Sequence, residues 1–364
     1  MILHKNSGYY RAWKGRGMVA GAALAGLLSL VAGGGAASAQ SVVTNARSAT
    51  AGAGSLSGVR PASRLHTAGR LTAANTFPTK GGILFGGTDA IANLTSKLDR
   101  NLAIIRVYYT IGQSFPSYVD NEHMSEGSTL LVSLDSNGQS YAGITSGQYD
   151  ATINTFLAAV NAAAVKYDLT SIFITFQHEP DNAKHASLGT PADFVAAWDH
   201  VHQLAAAADL DWNQGDGGRL MWTLILTHHT YAIGTNADGY WPGASEVDVV
   251  AADGYNSFGC SSSVTSNQTP SEIFSPLLSF AKTNGGMPVI IAEWASYAGN
   301  PTAQVTFIQQ MQTYLTDNHK KIKAADYWDD AGANCSYKID SNPASIAALK
   351  VLGASADLQG TAHS

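Results

Sequence analysis

The sequence predicts an α/β protein built as a single (β/α)8 TIM barrel. Three observations carry this: eight short apolar, β-rich runs, amphipathic helical stretches between them, and a regular pattern over roughly 275 residues, close to the ~250 usual for such a barrel. The chain has 364 residues, 45% hydrophobic and 13% charged, with a formal charge of −6. It is too apolar for a disordered protein, and too acidic to hold nucleic acid by neutralising phosphates. Its two cysteines exclude a disulfide-scaffold miniprotein and a four-cysteine zinc module.

The chain opens outside the barrel. Lys5, Arg11, Lys14 and Arg16 lead an apolar run from Met18 to Ala32, which ends in glycines and Ala37-Ser38-Ala39. A positive start, a short apolar core and a small-x-small site are the parts of a secretory signal peptide, expected over residues 1–39. The alternative is an N-terminal membrane anchor, but about 15 apolar residues fall short of the ~20 that span a bilayer. Removing residues 1–39 takes away four cations and no acid, moving the formal charge from −6 to −10. An exported, acidic protein with no membrane contact after cleavage is expected, and a monomer. Residues 40–76, rich in Ala, Ser, Gly and Arg, read as a flexible linker, 77–353 as the (β/α)8 barrel, and 354–364 as a frayed tail.

The expected strands are Gly82–Gly86, Ala103–Tyr109, Thr129–Leu134, Ile172–Gln177, Leu220–Thr227, Val247–Asp253, Val289–Glu293 and Ala324–Trp328. Most are near-continuous apolar runs, the pattern of parallel strands buried on both faces. Helices are expected over Thr88–Leu98, Tyr149–Lys166, Pro191–Ala208, Ser271–Lys282, Pro301–Asn318 and Pro343–Leu352; Thr190 before Pro191 is a good N-cap. Two gaps are less regular. A doubly wound sheet is the main alternative, but no G-x-G-x-x-G follows the first strand.

Barrel chemistry sits at the C-terminal strand ends. The fourth strand closes in Gln177-His178-Glu179-Pro180 and the seventh in Ala292-Glu293-Trp294. A carboxylate where an apolar strand meets the rim is costly if buried unpaired. Two facing carboxyls suit glycoside hydrolysis: one protonates the departing sugar oxygen, the other attacks the anomeric carbon or activates water. The bland alternative is two strand-end glutamates satisfied by cations or backbone donors.

At these residues the chain resembles the retaining glycoside hydrolases of the large (β/α)8 clan, and His178-Glu179 is closest to glycoside hydrolase family 26, the β-mannanase family. Val247–Asn256 is similar to that family's sixth strand, and Tyr327-Trp328 to its eighth-strand end. The resemblance implies a retaining double displacement on a β-linked polysaccharide or oligosaccharide, without a cofactor. It implies Glu179 as general acid/base and Glu293 as nucleophile. It further implies His178 as the residue that places substrate, Tyr255 as the donor to the nucleophile, Trp328 as the aromatic floor under the sugar and Arg106 as electrostatic support. The family's Met-Asn-Gly after its His-Glu is replaced here by Pro180-Asp181-Asn182, and Trp294-Ala295 follow the nucleophile.

Trp294 and Trp241, near strand ends, are further expected sugar platforms, because flat rings cover the apolar faces of sugars. Cys260 and Cys335 follow the sixth and eighth strands, so in a barrel both lie on the same rim; export permits a disulfide, and one is expected between them, the alternative being two free thiols. Three rival readings compete. A metal hydrolase would draw on His178, His185, His228, His229, Asp181 and Asp253. But there is no H-E-x-x-H, and adjacent histidines on a strand point to opposite faces, so no metal is expected. A serine hydrolase lacks its elbow, since Gly243-Ala244-Ser245-Glu246 does not complete one. An inactive carbohydrate-binding barrel would keep the aromatics and lose turnover.

Overall fold

The computed structural model describes residues 77–212, 217–232, 235–332 and 335–363; the leader and linker read from the sequence lie outside the described residues. Eight parallel strands close into a barrel: β2 (Leu84–Thr88), β3 (Ile104–Thr110), β4 (Thr129–Asp135), β5 (Ile172–Phe176), β6 (Leu220–Thr227), β7 (Val249–Asn256), β8 (Val289–Ser296) and β9 (Ile322–Trp328), with β9 returning to β2. All eight expected strands are present, within a few residues at each end.

The helices α1 (Ile91–Leu98), α2 (Tyr118–Ser125), α3 (Tyr141–Thr145), α4 (Asp150–Lys166), α5 (Pro191–Ala207), α6 (His228–Ala232), α7 (Thr235–Gly239), α8 (Pro270–Thr283), α9 (Pro301–Asn318) and α10 (Pro343–Gly353) fill the connections. Their starts follow from the sequence. Thr190 and Thr269 each cap a helix that opens with proline, and the N3 carboxylates of Asp193 and Glu272 complete capping boxes. No described helix is long and apolar enough to cross a membrane.

Strand alternation sorts the core into two shells. Leu84, Ile104, Leu131, Phe173, Met221, Ile225, Val249 and Ile290 fill the barrel interior. The intervening residues, such as Ile105, Val132, Ile174 and Val250, face the helices. The interior turns polar toward the C-terminal ends, where Arg106, Thr175, Asp253 and Asp326 are all buried. Gly86 is required at this level, since a Cβ there would lie 2.0 Å from Asp326 Oδ1 and 2.3 Å from the Ile104 carbonyl.

The structure corrects two boundaries. The first expected strand is two elements: β1 (Lys80–Gly82) pairs antiparallel with β10 (Leu358–Thr361), and the barrel strand begins at Leu84. Gly81 and Gly82, both at positive φ, make the bend between them. The residues after Gly353 are correspondingly not a frayed tail. Leu358 and Ala362 are fully buried, Ala362 in the barrel interior, and Phe77 stacks 5.8 Å from Phe173. The two-stranded β1–β10 sheet thus brings a second part of the chain onto the N-terminal end of the barrel. Leu358→Ala is expected to destabilise the protein by about 2–4 kcal/mol. The check is urea unfolding, with a lower midpoint and an unchanged slope.

Candidate active site

Four strands deliver polar side chains to the C-terminal end of the barrel. On β3, alternation points Arg106 and Tyr108 to the same inward face. On β7 it does so for Asp253 and Tyr255, and on β9 for Asp326 and Trp328. On β8 a bulge intervenes. Asp253 pairs with Glu293 but Ala252 with Ile291, so β8 carries one residue more than β7. The extra residue re-aims the strand, a common device beside active sites. Glu293 enters the barrel and Trp294 turns out to the helices.

Glu293 is held from three sides. Arg106 Nη1 lies 2.7 Å from Oε1, the Tyr108 hydroxyl donates to Oε1, and the Tyr255 hydroxyl donates to Oε2. The same guanidinium nitrogen lies 2.6 Å from Asp253 Oδ1. Arg106 stacks over the Tyr108 ring at 5.1 Å. Trp328 meets the Tyr108 and Tyr255 rings edge-on at 6.4 and 6.5 Å, and His178 meets Tyr108 at 5.3 Å.

One cation therefore serves several acids. Burial works against the Arg106 charge, but Asp253 and Glu293 together outweigh it and push its pKa up. Burial pushes Glu293 well above the usual carboxylate range against the pull of Arg106, with Asp253 and Glu179 adding to the rise. Asp253 is pushed up to about 7, by burial first, with Arg106 opposing. Asp326, whose two oxygens accept no hydrogen bond among the described residues, is raised well above its range by burial. Arg106 and Tyr255 both contact Glu293 as the resemblance implies, but Arg106 is shared with Asp253, and with burial this lets Glu293 and Asp253 titrate together above the ordinary range. Burial, then Arg106, hold His178 well below its usual pKa, so it is a neutral imidazole at pH 7.

Glu179 stands just past β5 on a turn bound to the next strand. Its N–H donates to the Ile225 carbonyl at 2.9 Å, and Asp181 accepts from the Thr227 N–H and from the hydroxyls of Thr227 and Thr230. Its carboxylate accepts from Asn182 Nδ2 at 3.0 Å and faces Lys184 Nζ at 3.5 Å. Gln177 (φ 53°) and Glu179 (φ 47°) both adopt left-handed backbone, which costs on the order of 1–3 kcal/mol at each non-glycine residue. Strain of that kind persists where surrounding contacts over-determine the geometry. Glu179 is within electrostatic reach of both Glu293 and Asp253, since its charge contributes to raising each.

The structure thus brings Glu293 into direct contact with Arg106 and Tyr255, sets Trp328 and His178 around them, and leaves Glu179 within electrostatic reach. It does not bring in the other two tryptophans. Trp294 is fully buried between Tyr327, at 5.0 Å, and Phe307 of α9, at 6.4 Å; it is core. Trp241 is half-buried edge-on against Phe280 of α8, at 5.4 Å. His228 and His229 open α6 instead of ending a strand, and their rings lie 3.8 Å apart. Burial pushes His228 down to about 4.

Sequence reasoning missed Tyr108, although its position two residues after Arg106 was the signal for a shared face. Cys260 and Cys335 do form a disulfide, with Cα atoms 5.5 Å apart. It ties the loop after β7 to the segment after β9, beside Tyr337, whose ring lies 5.0 Å from Tyr255.

No known protein-family profile and no curated protein matches the chain. Solved structures do. An endo-β-1,4-mannanase double mutant from Cellulomonas fimi superposes with a TM-score of 0.56 at 13% identity, over 76% of this chain and 71% of that one. A family 26 protein from Muricauda sp. gives 0.53 at 10% identity, over 76% and 86%. An endo-β-1,4-glucanase from Xanthomonas axonopodis pv. citri, carrying a triple mutation, gives 0.52 at 12%, over 76% and 99%. The likeness is one of fold.

The shared cation makes a signed prediction. Asp253→Asn removes a like charge from beside Glu293 and leaves Arg106 to it, so the Glu293 titration should move down in pH. Tyr108→Phe removes a donor to the ionised form, so it should move up. Carbon-13 NMR of labelled glutamate carboxyls checks both, and shifts of the same sign in the two variants would contradict the arrangement.

Proposed function

We propose that this chain is a secreted retaining glycoside hydrolase acting on a β-linked polysaccharide, with β-mannan the first substrate to test. The observation that carries the proposal is Glu293 clasped by Arg106, Tyr108 and Tyr255 at the C-terminal end of the barrel, with Glu179 within electrostatic reach of it. The fold likeness to family 26 mannanases supports the reading, as do the sequence motifs at Glu179 and Glu293. Export rests on the N-terminal sequence pattern, and the disulfide is compatible with it.

In this reading a Glu293 oxygen attacks the anomeric carbon as the bond to the leaving sugar oxygen breaks, and Glu179 gives its proton to that oxygen. Glu293 is then esterified and carries no charge. Glu179, now ionised, takes a proton from water. The water oxygen attacks the anomeric carbon and Glu293 departs as carboxylate. Arg106 and the two tyrosine hydroxyls are fixed where negative charge returns to Glu293, and so need no reorganisation during the reaction. Neutral His178 can exchange hydrogen bonds with a sugar hydroxyl, and Trp328 offers an apolar face to the ring.

Incubation with mannan, xylan, mixed-linkage glucan, galactan and cellulose tests the activity through reducing-end release. Proton NMR of the first product should show the β-anomer. Glu293→Ala should lower kcat by at least ~10⁴-fold with the fold intact, and Glu179→Ala should lower it on polysaccharide by roughly 10²–10⁴-fold. Binding without turnover on every polysaccharide would support a carbohydrate-binding barrel instead. An α-anomer as first product would exclude retention.

A further inference from the structure

We propose that His185, acting with Gln177, is a positioning residue that holds the Glu179 turn in its left-handed conformation and thereby aims the acid/base carboxyl at the leaving-group oxygen. The inference rests on the acid/base assignment of Glu179.

The geometry is closed at every atom. His185 Nδ1 lies 2.8 Å from the Glu179 carbonyl oxygen, and Nε2 lies 3.1 Å from Gln177 Nε2. A carbonyl only accepts, so Nδ1 carries the hydrogen and donates it. Nε2 then has a lone pair and accepts from the Gln177 amide. Gln177 Nε2 also donates to Asp135 Oδ2 at 2.9 Å, while its Oε1 accepts from the Ser136 N–H at 3.0 Å. One tautomer of a neutral imidazole satisfies the whole set. His185 and Gln177 are both buried, and burial lowers the pKa of His185 in keeping with that neutral ring. The two ends of this network are the two left-handed residues, Gln177 through its side chain and Glu179 through its carbonyl. Their peptides orient the Glu179 carboxyl. His185 itself starts one turn on, its N–H donating to the Asn182 carbonyl at 2.8 Å, while Asn182 bonds both the carbonyl and the carboxylate of Glu179. Remote loss of one donor would therefore be felt as a misaimed proton.

A misaimed acid has a signature that general damage lacks. Protonation matters most for a poor leaving group and least for an activated one. The experiment compares kcat/KM on the polysaccharide with kcat/KM on the 2,4-dinitrophenyl β-glycoside of the disaccharide it releases, mannobiose first. His185→Leu should lower the former by about 10²-fold and the latter by no more than about threefold. His185→Asn, whose amide can place its donor near Nδ1, should restore the polysaccharide rate to within about tenfold of the native enzyme, whereas His185→Gln, which reaches toward Nε2, should not. The two polar variants keep the test decisive if His185→Leu fails to fold. Equal losses on both substrates, or equal behaviour of the Asn and Gln variants, would overturn the inference. Glu179→Ala run beside them separates the two claims. If it shows no leaving-group selectivity, the acid/base assignment fails. If it does and His185→Leu does not, only the positioning role fails.

Discussion

The structure depends on one guanidinium. Arg106 is buried on β3 and reaches acids on β7 and β8; in an eight-stranded ring, β3 and β7 stand opposite each other. A charge taken that far from water is tolerated only with close partners, and removing one partner of such a pair typically destabilises by about 3–5 kcal/mol. Two partners, one from each strand, fix where β7 and β8 present their inward side chains. The same contacts set the chemistry, because a cation divided between Asp253 and Glu293 compensates neither fully. Burial, and after it the surplus acid, raise the titration of the pair, and the tyrosine hydroxyls supply further stabilisation to Glu293.

Around that centre the barrel distributes tasks by strand. The bulge on β8 turns Glu293 inward and commits Trp294 to packing. The turn after β5 accepts backbone strain so that Glu179 leaves the strand at the needed angle. Side chains from β4, the β5 end and the following loop, namely Asp135, Gln177 and His185, meet across that turn. The disulfide works at the opposite side of the site, fastening the segment that carries Tyr337 beside Tyr255. Both carboxyls therefore sit on backbone supported from more than one element, as a proton donor and a nucleophile acting on one acetal would require.

Much of this was legible in the sequence because its physics is local. Near-continuous apolar runs marked most of the barrel strands, and the Thr190-Pro191 pair marked the start of α5. Glu179 and Glu293 stood out as carboxylates at strand ends, and the resemblance to family 26 implied Arg106 and Tyr255. The failures are long-range. Leu358–Thr361 has too few apolar residues to announce a strand, and it becomes one by pairing with Lys80–Gly82 at the other end of the barrel. Trp294 was misjudged because an extra residue in β8 shifts the alternation, which only the register with β7 reveals. Gln177 and Glu179 give no hint of left-handed backbone, since neither is glycine, and the His185 contacts appear only once the turn is folded.

The central claim is that Glu293, braced by Arg106, forms a bond to the sugar. Its most direct test is mass spectrometry after incubation with a 2,4-dinitrophenyl 2-deoxy-2-fluoro β-glycoside of the accepted sugar, a reagent that slows release of a covalent intermediate. The account predicts a glycosyl adduct on the peptide containing Glu293. An adduct on another residue would contradict it, as would turnover of the parent glycoside with the fluoro sugar leaving the protein unlabelled.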